Sequence, residues 1–293
     1  MEILLLPHKD KLKETITCVI LCAGEGTRTK DIAINVPKPL LKVESLNNQS
    51  ILSLIISNLI DLKFNQIVIV TGHLGGLIAD FVNSSQIKNQ NSRENILIHR
   101  SGDRYKLGPL YSFLSITKNN QIFKEDKLFM VFPGDTVFDF NLIQEIFDLI
   151  IEKYMQIINN SILFYRKIRT DILKKKYEKY YPKYEKSISY LKIEEMDSKA
   201  IVKEISQEKL DLISDQEEIN QIIPIFIFNN VYVEAIRDLA NSVKFRTIRE
   251  AVNLLIEREK HFFAISVSPE KNFYDIDTPL DLKILNEKKK SGQ

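Results

Sequence analysis

Residues 21–43 read LCAGEGTRTKDIAINVPKPLLKV: two glycines and an arginine behind an apolar run, then a lysine between two prolines. Gly24 and Gly26 allow a sharp turn that brings bare backbone close to phosphate oxygens. Arg28 offers a rigid fork of donors that suits phosphate, and Lys38 adds a point charge. Pro37 and Pro39 stiffen the chain on either side of Lys38 and limit where its ammonium can point. Neither common glycine template fits, because G-x-x-x-x-G-K-[ST] and G-x-G-x-x-G are both absent. The turn, the arginine and the distant lysine together predict a polyphosphate site.

Such a loop needs a rigid frame. Apolar, β-branched runs at 16–22, 67–71, 95–99, 127–133, 161–165, 222–228 and 262–267 read as strands. Stretches with apolar spacing of three and four, at 51–62, 142–154, 245–259 and 279–287, read as helices. The alternation predicts an α/β chain with a doubly wound, mostly parallel (mixed) Rossmann-like sheet covered on both faces. In that arrangement the ligand sits at the carboxyl ends of the strands, where the loop after residue 22 emerges. The chain reads as a single domain, 1–293, with the polar and weakly periodic stretch 167–220 as an insertion or lid. No repeat period shows, and nine glycines are too few for a hexapeptide β-helix appendage.

The composition fits a soluble globular chain with a sizeable core: 293 residues, 44% hydrophobic and 27% charged. A net charge of +2 from 41 basic and 39 acidic residues provides no global field for nucleic acid or membrane. Lysines and tyrosines alternate in KKKYEKYYPKYEK, residues 174–186, which reads as a solvated helix or loop, with an acidic partner as the alternative. Lys288 to Lys290 read as a frayed end. No apolar stretch is long enough for a membrane span, and MEILLLPHKD makes a poor signal peptide. The Asn-x-Ser triplets at Asn48, Asn83 and Asn159 therefore have no glycosylation reading. Cys18 and Cys22 share a strand face at roughly 13 Å, too far for a disulfide. They read as buried free thiols, and the expected location is cytoplasmic.

L-x-A-G-x-G-T-R followed by P-K-P-L-L resembles the signature of sugar-phosphate nucleotidyltransferases. The resemblance implies that the end of the first strand and its loop, Leu21, Ala23, Gly24, Gly26, Thr27 and Arg28, hold the nucleotide of an NTP. It also implies catalytic roles for Arg28 and Lys38 beside the reacting phosphates. In KLGPLYSFLSI, Gly108 occupies the turn that this family places near the nucleobase. FPGDTVFD resembles the family's G-D motif, which makes Asp135 a ligand of Mg²⁺. FYDIDTPLDLKIL resembles its closing D-x-[GD]-T-P motif, which makes Asp275 the second metal carboxylate, with Asp277 as the alternative.

The chemistry implied is attack by a phosphate monoester on the α-phosphorus of the NTP, with release of pyrophosphate. No strong base is required, because the second pKa of such an ester is ~6. Charge neutralisation and in-line placement are what the site must supply. The partners are then an NTP and a phosphorylated small acceptor, with no nucleic acid, no membrane and a homo-oligomer possible. The Gly-Pro-Leu form at 108–110 also resembles molybdenum-cofactor guanylyltransferases. A guanylyl- or cytidylyltransferase for a cofactor precursor therefore stays open, as does a noncatalytic nucleotide-binding regulatory homologue. The Glu-Lys-Pro motif of the sugar pocket is missing, with ISQEKL in its region, so nucleobase and acceptor are both left open.

Other polar residues have plainer readings. Asp139 reads as a helix cap, and Thr278-Pro279 as a helix start. His73 reads as a surface residue at a strand end, with proximity to the nucleotide as the alternative. His8, His99 and His261 lack metal-ligand spacing. Arg246 and Arg249, in FRTIREAV, read as a solvated face, the alternative being contact with the acceptor's phosphate.

Overall fold

A computed structural model describes residues 9–26, 35–84, 96–124, 127–157, 159–178, 181, 186–196 and 199–290. The chain enters through helix α1 (Lys9–Thr15) into strand β1 (Ile16–Cys22). A short ribbon, β2 (Lys42–Val43) with β3 (Gln49–Ser50), leads into α2 (Ile51–Asp61). Then follow β4 (Gln66–Thr71), α3 (Gly75–Asn83), β5 (Ile96–Arg100), α4 (Pro109–Leu114) and β6 (Leu128–Pro133). Strand β7 (Thr136–Phe138) precedes α5 (Phe140–Glu152), β8 (Ser161–Arg169) and α6 (Thr170–Glu178). Next come β9 (Ser187–Met196), β10 (Lys199–Lys209), β11 (Glu218–Asn229), α7 (Asn230–Ser242) and α8 (Ile248–Glu257). The chain closes through β12 (Phe262–Ser266), β13 (Phe273–Asp275) and α9 (Pro279–Lys290).

Nine strands form one sheet in the order β5-β4-β1-β6-β11-β8-β12-β10-β9. Strands β5, β4, β1 and β6 run parallel, with Val19 opposite Val68 on one side and Val131 on the other. Beyond β6 the pattern changes: β11 is antiparallel to both β6 and β8, and β10 is antiparallel to β12 and β9. The sheet is mixed, as expected, but not mostly parallel: β12 runs parallel to β8, and parallel and antiparallel neighbours are equally many among its strands. The reason lies in residues 187–217. A parallel return needs a crossover, usually a helix. Here β9 and β10 form a hairpin instead, and a short connection after β10 leads back into β11.

Each face of the sheet buries a core of its own. Ile16, Cys18, Ile20 and Cys22 alternate onto one face with Ile51, Leu52, Ile55, Ile56 and Leu59 of α2 and Ile143 and Ile146 of α5. Val19, Val68, Val70, Phe129 and Val131 face the other way, against Phe113 of α4, Ile236 of α7 and Val252 of α8. Every fully buried aliphatic chain of this kind contributes roughly 1.5–3 kcal/mol, so the frame beneath the loops is stiff. Cys18 and Cys22 are buried and free, on the same face. Among the described residues no helix is long and apolar enough to cross a membrane.

Candidate nucleotide site

Strand order reverses at β1: β4 and β5 follow on one side of it, and β6 lies on the other. The carboxyl ends of β1 and β6 therefore flank the crevice where an open α/β sheet binds ligands. Two backbone bonds fix the end of β1. His73 N donates to Ala23 O at 3.1 Å, and Gly134 N donates to Leu21 O at 3.0 Å. Gly134 has to be glycine, since a Cβ there would lie 2.7 Å from both Cys22 Sγ and Leu21 O. That close seat carries the next residue, Asp135, alongside the glycine turn.

The cleft above these strand ends has a volume of about 850 Å³. Leu21, Ala23, Gly24, Gly26, Lys38, Gly108 and Asp135 all line it. Gly26 has a φ of 61°, in the left-handed region, while a Cβ on Gly24 would meet no atom of the described residues within 4 Å. Among the described residues the turn thus leaves bare backbone that a phosphate could approach. Gly108 closes the opposite wall with a φ of 119°, and a Cβ on it would fall 2.3 Å from Arg246 O. Pro109 starts α4 immediately after it. Thr27 and Arg28 lie outside the described residues.

Lys38 sits in a short 3₁₀ turn entered from Pro37, and Pro39 behind it is buried. Its side chain is 10% exposed, with Nζ 3.4 Å from Asp135 Oδ2 and 3.8 Å from Asp277 Oδ1. Strand β13 pairs with β7, which sets Asp275 opposite Thr136, and Ile276 N donates to Asp135 O at 3.0 Å. The 275–277 loop is thereby fastened beside Asp135. Within it the two candidate carboxylates differ: Thr136 Oγ1 donates to Asp275 Oδ1 at 2.6 Å, whereas Asp277 turns toward Lys38. Neither Asp275 nor Asp277 lines the cleft itself; both stand behind Lys38 and Asp135.

Burial raises the pKa of Asp135, opposed by Lys38 and reinforced by Asp277. Burial also lifts Asp275, to about 6, with Thr136 and Lys186 pulling against it and Asp277 and Asp135 adding to it. Carboxylate oxygens are hard donors of the kind Mg²⁺ takes, and Mg²⁺ commonly completes its shell with substrate phosphates and water. Among the described residues, no group of three or more acidic, histidine or cysteine side chains is placed to hold a metal ion.

Other cleft residues carried no local signal in the sequence. Tyr105, Lys106, Ser112, Pro224 and Phe226 line it. Arg246, which is exposed, and Arg249, which is half-buried, line it too. The cause is tertiary: α8 packs on the hairpin strand β10, with Asn253 bonded to both backbone groups of Ile205, and this aims the start of α8 at the crevice. The His73 ring is tilted against Tyr105 at 6.3 Å and does not line the cleft. Asp139 stands at the cap position of α5, where its side chain makes no cap hydrogen bond while its carbonyl accepts from Leu142 N at 3.0 Å. Thr278 and Asp281 instead form a reciprocal cap at the start of α9, at 2.8 and 3.4 Å.

The model of a family described as nucleotidyl transferase matches residues 17–170. No curated protein sequence matches the chain at a significant level. Solved structures share the fold at low identity. A UDP-glucose pyrophosphorylase complexed with UDP-glucose superposes with a TM-score of 0.66 at 16% identity, covering 94% of this chain and 98% of its own. The CTP:phosphocholine cytidylyltransferase of Streptococcus pneumoniae gives 0.61 at 18%, covering 93% and 98%. The inositol-1-phosphate CTP transferase of T. maritima gives 0.63 at 14%, covering 95% and 97%.

Proposed function

The chain belongs to the nucleotidyl transferase family, a family of enzymes, and on that premise we propose that it moves a nucleoside monophosphate from an NTP to a small phosphorylated acceptor. Pyrophosphate leaves, and an NDP-activated compound forms. One observation carries this reading: Lys38 and Asp135 meet at 3.4 Å in the wall of a cleft that Gly24, Gly26 and Gly108 also line. That combination provides backbone for phosphates, a fixed cation and a carboxylate at one point.

In this reading the acceptor phosphate, already anionic at neutral pH, attacks the α-phosphorus directly. The turn at 23–26 holds the triphosphate, with Thr27 and Arg28 as its continuation. Lys38 balances charge on the transferring phosphoryl group, and its seat in the 3₁₀ turn means little reorganisation is needed as that charge grows. Gly108 keeps the opposite wall flat for the base. Arg246 and Arg249 lie across the cleft and would meet the acceptor's phosphate.

Asp135, with Asp275 or Asp277, would hold Mg²⁺, which supplies Lewis-acid neutralisation of the phosphates when bound. The similar folds include proteins whose names specify a sugar, choline or inositol phosphate, so the acceptor class is drawn broadly: a sugar, polyol or amino-alcohol phosphate. Screening the five common NTPs against such acceptors with Mg²⁺, following pyrophosphate release, tests the reading. Release that requires both substrates is the expected outcome. Release at the same rate without an acceptor would contradict it.

A further inference from the structure

Strand β10 sorts its polar side chains by face. Ile205 and Gln207, two apart, share the face that meets α8, while Glu204, Ser206 and Glu208 take the other. Both carboxylates find partners there. Lys192 Nζ lies 2.8 Å from Glu204 Oε2, and the Tyr190 hydroxyl donates to Glu208 Oε1 at 3.0 Å. On the α8 side, Asn253 holds the N–H and carbonyl of Ile205 at 2.8 and 3.0 Å. Arg249, four residues earlier on the same helix face, donates from Nη1 to Gln207 Oε1. Helix and strand thus meet twice, once through backbone and once through a guanidinium held by an amide. Arg249 lines the cleft, and Gln207 does not.

We infer that Gln207 is a positioning residue for the acceptor's phosphate: its uncharged amide aims the Arg249 guanidinium at the cleft without neutralising it. This inference rests on the proposed nucleotidyl transfer, with Arg249 at the acceptor. The reason lies in the donor count. A guanidinium has five N–H donors, and one bond to an amide oxygen orients it while leaving the other donors and the full charge for an anion. A carboxylate in the same place would take two donors at once and cancel that charge. A carboxylate does stand next along the strand, but the alternation of faces gives Glu208 to Tyr190. The residue type at 207, and the face it occupies, therefore decide whether Arg249 can serve a phosphate.

Two substitutions separate aim from charge. Gln207→Met keeps the length of the side chain and its neutrality but removes the bond; Gln207→Glu keeps an acceptor oxygen and adds a charge. Steady-state kinetics with each substrate varied in turn are read beside denaturant unfolding. Gln207→Met is expected to raise the acceptor KM about fivefold, the scale of one hydrogen bond, with the NTP KM within about twofold. In an Arg249→Met background the same change is expected to move the acceptor KM by less than about twofold. Gln207→Glu is expected to raise the acceptor KM about tenfold or more, yet to unfold at the same or a higher denaturant concentration, because the new ion pair fastens β10 to α8. A merely structural role would move affinity and stability in the same direction. A wild-type acceptor KM in Gln207→Glu would overturn the inference. Equal rises from Gln207→Met with and without Arg249 would overturn it too. If the wild-type chain transfers to no acceptor, the proposed function fails, and this inference falls with it. If it transfers and either overturning result appears, only this inference fails.

Discussion

Lys38 and Asp135 leave different loops, 97 residues apart in the chain, and their charged ends stand 3.4 Å from one another. Two local devices bring them together. Pro37 and Pro39 fix the short turn that carries Lys38, and Gly134 seats the Asp135 turn against Leu21 and Cys22. The pair joins a cation and a carboxylate at the mouth of a crevice that the sheet topology had already marked for a ligand.

Replacing Lys38 with methionine should leave the fold intact and slow transfer by about 10²–10³-fold, the loss typical of one preorganised donor at a developing charge. The check is kcat/KM beside a thermal unfolding curve. A wild-type rate from a folded variant would remove Lys38 from the site.

Asp135→Asn keeps the shape of the side chain and removes its charge. Activity is expected to fall together with Mg²⁺ affinity, so a Mg²⁺ titration of the rate should shift to higher concentration. An unchanged titration would take Asp135 out of the proposed metal set.

The two glycine walls should respond differently to the same change. Gly108→Ala puts a Cβ into a backbone region that disfavours it, 2.3 Å from Arg246 O, so the 108 and 246 turns must separate. Strain of this kind costs about 1–3 kcal/mol, which should appear in denaturant unfolding. At Gly24 the added methyl would meet no atom of the described residues within 4 Å, so Gly24→Ala should unfold like the parent and bind NTP more weakly. Equal stability losses in the two variants would contradict the assignment of Gly24 to ligand contact.

Arg246→Ala and Arg249→Ala should raise the acceptor KM about tenfold or more while the NTP KM stays within about twofold, on the scale of a hydrogen bond to a charged group. Arg249 also donates to Gln207 Oε1 of β10, so Gln207→Ala is a useful partner variant. Steady-state kinetics with each substrate varied in turn decide this. A rise confined to the NTP would move both arginines to the other side of the cleft.

Much of the site was legible in the sequence because its parts are local. The glycine turn, Pro-Lys-Pro and Gly-Asp stand at the ends of apolar runs, and β1, β4, β5 and β6 were visible as β-branched stretches. The hairpin β9–β10 was not. It keeps Ile188, Leu191, Val202 and Ile205 inside but is polar between them, and the register shifts between Val202 and Glu204. Without that hairpin the antiparallel entry of β11 could not be foreseen, nor could the placement of α8. For the same reason the sequence alone left Arg246 and Arg249 between a solvated face and the acceptor's phosphate. Lys186 was hidden among other lysines, and only its burial against Asp281 sets it apart.

The most direct measurement follows the label in an NTP carrying radioactive phosphorus at either the α or the γ position, incubated with an acceptor phosphate and Mg²⁺. Attack at the α-phosphorus requires α-label in a new nucleotide-diphospho compound and γ-label in pyrophosphate, with both lost in Asp135→Asn. Transfer of γ-label to the acceptor, or release of γ-label as inorganic phosphate, would contradict the proposed reaction.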